Sequence, residues 1–101
     1  MTHISLAKSD VEIERCFAIM QALRPHLVAS EFVTRIRRQE QQGFQLAYLE
    51  DEASIKAVAG FRIGESLSSG KFLYVDDLVT RESDGFANAF ANALKVMVQI
   101  S

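Results

Sequence analysis

Lys71 to Thr80 reads KFLYVDDLVT, the strongest strand in the chain, and it carries two adjacent carboxylates, Asp76 and Asp77, in an otherwise apolar run. Consecutive strand residues point to opposite faces, so at least one of the two should face a core or a cleft. A carboxylate is costly to bury. It should therefore be turned to solvent at a bulge, hydrogen-bonded at a strand irregularity, or used as a base in a cleft. Asp76 and Asp77 are accordingly the candidate catalytic pair.

Two more extended segments lie upstream. Phe44 to Glu50 alternates, with Phe44, Leu46 and Tyr48 on one side, and after the polar turn Asp51 to Ser54 the run Ile55 to Ile63 is rich in small and β-branched residues. A Ser/Gly-rich loop is expected from Gly64 to Gly70. Three strands with short links favour an antiparallel meander.

Before them the period is helical. His3 to Ala7 is a short first strand, and Ser9 with Glu12 then forms a capping box. Ile13, Cys16, Phe17, Met20 and Leu23 make one apolar stripe that ends at Pro25. Ser30 is the expected cap of a second helix, with Phe32, Val33 and Ile36 inward, Arg35, Arg37 and Arg38 outward, and Gly43 at its end. After the third long strand, the loop Thr80 to Ala87 leads into a last helix carrying Phe86, Phe90, Ala93, Leu94 and Met97, with Ala87, Ala91 and Val98 on its other faces. Apolar on most sides, that helix wants cover.

Composition limits the function classes. A chain of 101 residues suits a single domain over 1–101, and 49% hydrophobic with 24% charged residues suits a globular core. With 11 Lys and Arg against 13 Asp and Glu, no basic excess points to nucleic acid. One cysteine, Cys16, builds neither an internal disulfide nor a thiolate zinc site, and His3 and His26 lack ligands at metal spacing, so no metal is expected. No apolar run reaches the roughly 18 residues of a spanning helix, and no leader is visible, so a cytoplasmic protein without a membrane partner is expected.

The order β-α-α-β-β-β-α, with CFAIMQALRPHL, EFVTRIRRQEQQGFQLAYLE and VAGFRIGESLSSGKFLYVDDLVT, resembles the N-terminal half of the GNAT N-acetyltransferase superfamily over residues 3 to 80. The resemblance implies an α+β, sandwich-like fold with a mainly antiparallel sheet, acetyl-CoA as cosubstrate and a small-molecule or peptide amine as acceptor. It implies that main-chain groups of Leu78, Val79 and Thr80 pair with the pantetheine, and that Gly85, Phe86 and Ala87 take the Gly-x-Ala positions of the pyrophosphate loop. Glu82 stands where the family has Arg or Gln, and a carboxylate repels a pyrophosphate. The family's later strands, its fourth helix and a tyrosine acid beyond Tyr74 have no counterpart before Ser101. Two readings follow: an N-acetyltransferase with Asp76 or Asp77 accepting a proton, or an inactive truncated relative acting as a dimeric interaction module. A homodimer is expected in either case, because the strand Phe72 to Val79 would otherwise leave an open edge.

Overall fold

A computed structural model of the chain describes residues 3–68, 70–80, 90, 92, 94 and 95. In chain order it places β1 (His3–Leu6), α1 (Asp10–Leu23), α2 (Ala29–Glu40), β2 (Phe44–Asp51), β3 (Ser54–Ser66) and β4 (Gly70–Thr80). The strands form one antiparallel sheet in the order β1-β2-β3-β4. The α+β architecture and the meander expected from the sequence are both present.

Both faces of the sheet are covered, which explains why β2 is apolar almost throughout. Leu46, Tyr48 and Val58 pack with Ile13, Cys16 and Met20 of α1 and Phe32 and Ile36 of α2. On the other face, Ala47, Leu49, Ala57, Ala59 and Phe61 pack with Phe90 and Leu94. Residues 90, 92, 94 and 95 are helical, and the one-turn spacing of Phe90 and Leu94 puts both on the sheet. The alanines opposite allow that close approach. The other positions of the expected last helix, among them Phe86, Ala87, Ala91, Ala93, Met97 and Val98, lie outside the described residues or have no described side chain.

Helix α1 starts as the sequence predicts. Ser9 Oγ accepts from the Glu12 amide at 3.1 Å, and Glu12 Oε1 accepts from the Ser9 amide at 2.9 Å. Helix α2 does not: Val28 occupies the cap position without a side-chain bond, and Ser30 lies within the first turn. The Leu27 amide bonds back to the Arg24 carbonyl, and this turn around Pro25 delivers the chain in helical register before the serine is reached. Burial of Phe32 and Ile36 then holds the helix. At the other end Gly43 has φ +90°, and its amide closes onto the Glu40 carbonyl.

Two strand boundaries also differ. β3 runs on to Ser66, with Gly64 opposite Phe72 and Ser66 opposite Gly70, so the expected Gly64 to Gly70 loop shrinks to residues 67–69. Continuous pairing with β4 overrides the weak strand preference of serine and glycine. The β2–β3 connection tightens to Glu52-Ala53, because Asp51 and Ser54 already pair. Nor do all three arginines of α2 point outward: Arg37 folds back to donate to Asp10 Oδ1 at 2.8 Å, to the Lys8 carbonyl at 2.7 Å and to Glu40 Oε1 at 3.0 Å. It ties α2 to the start of α1.

Candidate active site

The register of β3 against β4 breaks once. Gly60 lies opposite Asp77 and Phe61 opposite Val75, which leaves Asp76 as the extra residue of a bulge. Without the bulge, Asp76 and Asp77 would take opposite faces. With it, both carboxylates line one cavity of about 460 Å³ between the end of α1, the face of α2 and the β3–β4 pair. Of the outcomes open for this doublet, a bulge is present, but it brings both aspartates to the same cleft instead of turning one to solvent. Tyr74, opposite Arg62 on the next same-face position, lines it as well.

The cavity has an apolar floor of Met20, Leu27, Phe32, Ile36 and Phe44, and its polar groups converge from three elements. Arg24, the residue that closes α1, donates from Nε at 3.1 Å and from Nη2 at 2.5 Å to Asp77 Oδ1. Arg62 of β3 donates from Nε to Asp76 Oδ2 at 3.0 Å, from Nη2 to Gln39 Oε1 at 2.8 Å and from Nη1 to the Gln42 carbonyl at 3.0 Å. The Arg62 guanidinium also sits 5.5 Å from the Phe44 ring centroid. Each aspartate is thereby oriented through one oxygen by one arginine, and its second oxygen has no partner among the described residues.

The cofactor residues implied by the resemblance divide in two. Leu78, Val79 and Thr80 are half-buried on β4, paired with Ala59, Val58 and Ala57. β4 is the outermost described strand, so alternate main-chain groups on its free side are unused by β3. An extended amide-bearing chain such as pantetheine fits such an edge by strand-like pairing. Gly85, Phe86, Ala87 and Glu82 lie outside the described residues.

Arg24, His26, Gln39, Arg62 and Tyr74 were not singled out as site residues from the sequence, and Arg35, expected to point outward with Arg37 and Arg38, lines the cavity. Arg62 left a trace: it is the lone charge in the run Ala57 to Ile63, at the period-two position after Gly60. Arg24 and His26 flank Pro25, and only the turn of the chain brings them to β4. Among the described residues no group of three or more His, Cys, Asp or Glu is placed to hold a metal, and no helix is long and apolar enough to cross a membrane. Cys16 is buried, and that burial pushes its thiol pKa up to about 12.

The fold is that of the GNAT acetyltransferases. Superposition on a GNAT family acetyltransferase from Staphylococcus aureus gives a TM-score of 0.80 at 10% identity, covering 97% of this chain and 78% of that one. A ribosomal-protein-alanine N-acetyltransferase from Brucella melitensis gives 0.80 at 10% identity, over 98% and 72%. A predicted acetyltransferase from Clostridium acetobutylicum, solved with acetyl-CoA, gives 0.64 at 13% identity, over 98% and 74%. No sequence-family profile and no curated protein matches the chain.

Proposed function

We propose that this protein is an N-acyltransferase that moves the acetyl group of acetyl-CoA onto a small amine. The observation that carries this is the bulge at Asp76, which gathers two arginine-oriented carboxylates into one cavity beside the edge of β4 that no described strand pairs. The likeness to acetyltransferases, one of them holding acetyl-CoA, supports it.

Each residue has a task. The second oxygens of Asp76 and Asp77, without a partner among the described residues, attract the acceptor's ammonium and pass a proton from it to water at the open mouth of the cavity. Arg24 and Arg62 keep both carboxylates aimed, and the apolar floor excludes water from the acceptor's carbon chain. Those main-chain groups of Leu78 to Thr80 that point to the free side of β4 hold the pantetheine, and an amide among them can polarise the acyl carbonyl. Bound acetyl-CoA supplies an activated acyl group as a thioester. In the transfer one C–N bond forms and one C–S bond breaks. Of the two protons an alkylammonium acceptor sheds, one goes to solvent by way of the aspartates and one leaves with the coenzyme as its thiol.

Isothermal titration with acetyl-CoA, followed by a thiol-release assay on a panel of amines, tests the proposal. Binding and amine-dependent thiol release are expected, and buried Cys16 keeps the thiol background low. Heat indistinguishable from dilution at high micromolar acetyl-CoA overturns it.

The second reading, a dimeric interaction module, draws on the exposure of Phe72, Tyr74 and Val75 on β4. A homodimer through this edge would sediment as a dimer at tens of micromolar, and saturation with acetyl-CoA would leave that dimer unchanged.

A further inference from the structure

The charges in the cavity do not cancel. Arg24, Arg35 and Arg62 face Asp76 and Asp77, and whereas Arg24 and Arg62 are spent on the aspartates, Arg35 has no hydrogen-bond or ionic partner among the described residues. Gln39 stands one turn after Arg35 on the same face of α2. Its Oε1 accepts from Arg62, which fixes the orientation of the amide and leaves Nε2 as a donor without a described partner. One wall, on α2, therefore offers a guanidinium and an amide donor. The opposite wall, on β4, offers two carboxylate oxygens that have no partner among the described residues. Arg62 spans the gap between them by bonding to Gln39 and Asp76 at once.

A partly enclosed cavity with donors on one wall and acceptors on the other fits a molecule that carries both charges. We propose, building on the acyltransferase reading, that the acceptor is a small amino-acid-like zwitterion whose ammonium lies against Asp76 and Asp77 and whose carboxylate lies against Arg35 and Gln39. A plain alkylamine meets only one of the two walls and leaves Arg35 facing apolar chain. A guanidinium–carboxylate pair in a partly desolvated site is among the stronger polar contacts, so the carboxylate should be felt as an affinity difference of about tenfold or more. The volume, about 460 Å³, is ample for such a molecule.

The test uses amino acids from glycine to 6-aminohexanoate, each beside the alkylamine of the same chain length, titrated into the full chain without acetyl-CoA. At least one amino acid should bind about tenfold or more tightly than its alkylamine, and added salt should narrow that gap. Arg35→Gln should erase the gap, chiefly by weakening the amino acid, and Arg35→Lys should restore part of it. With no described partner to lose, Arg35 can be replaced without endangering the fold, and circular dichroism checks this. Equal affinities across every pair, or a preference that survives Arg35→Gln, overturn the proposal. Acetyl-CoA binding with acetylation of alkylamines in preference to amino acids overturns it too, while leaving the acyltransferase reading in place.

Discussion

The guanidinium of Arg24 grips a single carboxylate oxygen of Asp77, 53 residues further along the chain, and so fastens the end of α1 to the bulged strand. Its side chain is half exposed, at 50%, whereas that of Asp77 is 16% exposed. Water can replace much of this bond, so Arg24→Met should cost no more than about 1 kcal/mol. Arg62 is more enclosed and serves Asp76, Gln39 and the Gln42 carbonyl together. Removing it leaves three acceptors short of a donor, and Arg62→Met should cost about 2 kcal/mol. Urea unfolding of the two variants checks the order, and a larger loss for Arg24→Met would contradict this account of the site.

Asp77→Asn keeps the shape and a bond to Arg24 but removes the charge that attracts and deprotonates the acceptor. If the transfer proceeds as proposed, kcat/KM for the amine should fall about 100-fold, with acetyl-CoA affinity unchanged. A fall confined to acetyl-CoA binding would place Asp77 on the cofactor side instead.

Glu12 sets the acid limb of stability. It accepts the Ser9 amide, its chief cause of perturbation, and then the Tyr48 hydroxyl and the Lys8 amide, which together lower its pKa from 4.5 to about 2. Folding therefore favours the carboxylate form. The resulting stability is fully present above the unfolded value near 4.5, and is lost as pH falls from there through about 2. Glu12→Gln preserves the shape of the capping box and removes the titration. The stability gap between wild type and variant should hold steady above about pH 5 and close toward pH 2. A gap that does not narrow across that interval refutes the assignment.

Much of this architecture is legible in local pattern: the Ser9–Glu12 box, the helical stripe through Ile13, Cys16 and Met20, and the alternation from Phe44 onward each need only neighbouring residues. The doublet Asp76-Asp77 was legible as a conflict, because two charges in an apolar strand violate its period. Its resolution was not, since a bulge is a property of two strands in register, and the residue opposite the break is Gly60, sixteen positions earlier. Arg24, His26 and Arg35 belong to the site through the turn at Pro25 and the packing of α2, and neither leaves a local signature. Ser30 shows the reverse failure, a good capping residue overruled by the turn before it.

Gly60 and Gly64 should respond differently to the same change. A Cβ on Gly60 would lie 2.5 Å from Phe44 Cζ, and that ring is 6% exposed beneath the Arg62 guanidinium. The ring has nowhere to go. Gly60→Ala should cost about 1–3 kcal/mol and disturb the cavity floor. A Cβ on Gly64 would meet the Phe72 ring, which is 45% exposed and can swing outward. Gly64→Ala should therefore stay within about 0.5 kcal/mol of wild type, since alanine also loses less entropy on entering a strand. Equal losses in thermal unfolding would mean that exposure does not decide which ring can yield.

The β2–β3 turn holds a stability reserve. Glu52 and Ala53 have φ of 53° and 64°, the left-handed pair that a two-residue hairpin requires, yet neither is glycine or asparagine. Each L-residue held there costs about 1–2 kcal/mol, part of which glycine gives back through its greater freedom in the unfolded chain. Ala53→Gly should gain about 0.5–1 kcal/mol. Ala53→Val, whose branched Cβ tolerates positive φ worse than alanine does, should lose at least as much. Glu52 and Ala53 neither line the cavity nor pair with Leu78 to Thr80, so both variants should bind acetyl-CoA as wild type does. Urea midpoints that fail to separate the two substitutions in this order would show that the left-handed backbone is not where the strain lies.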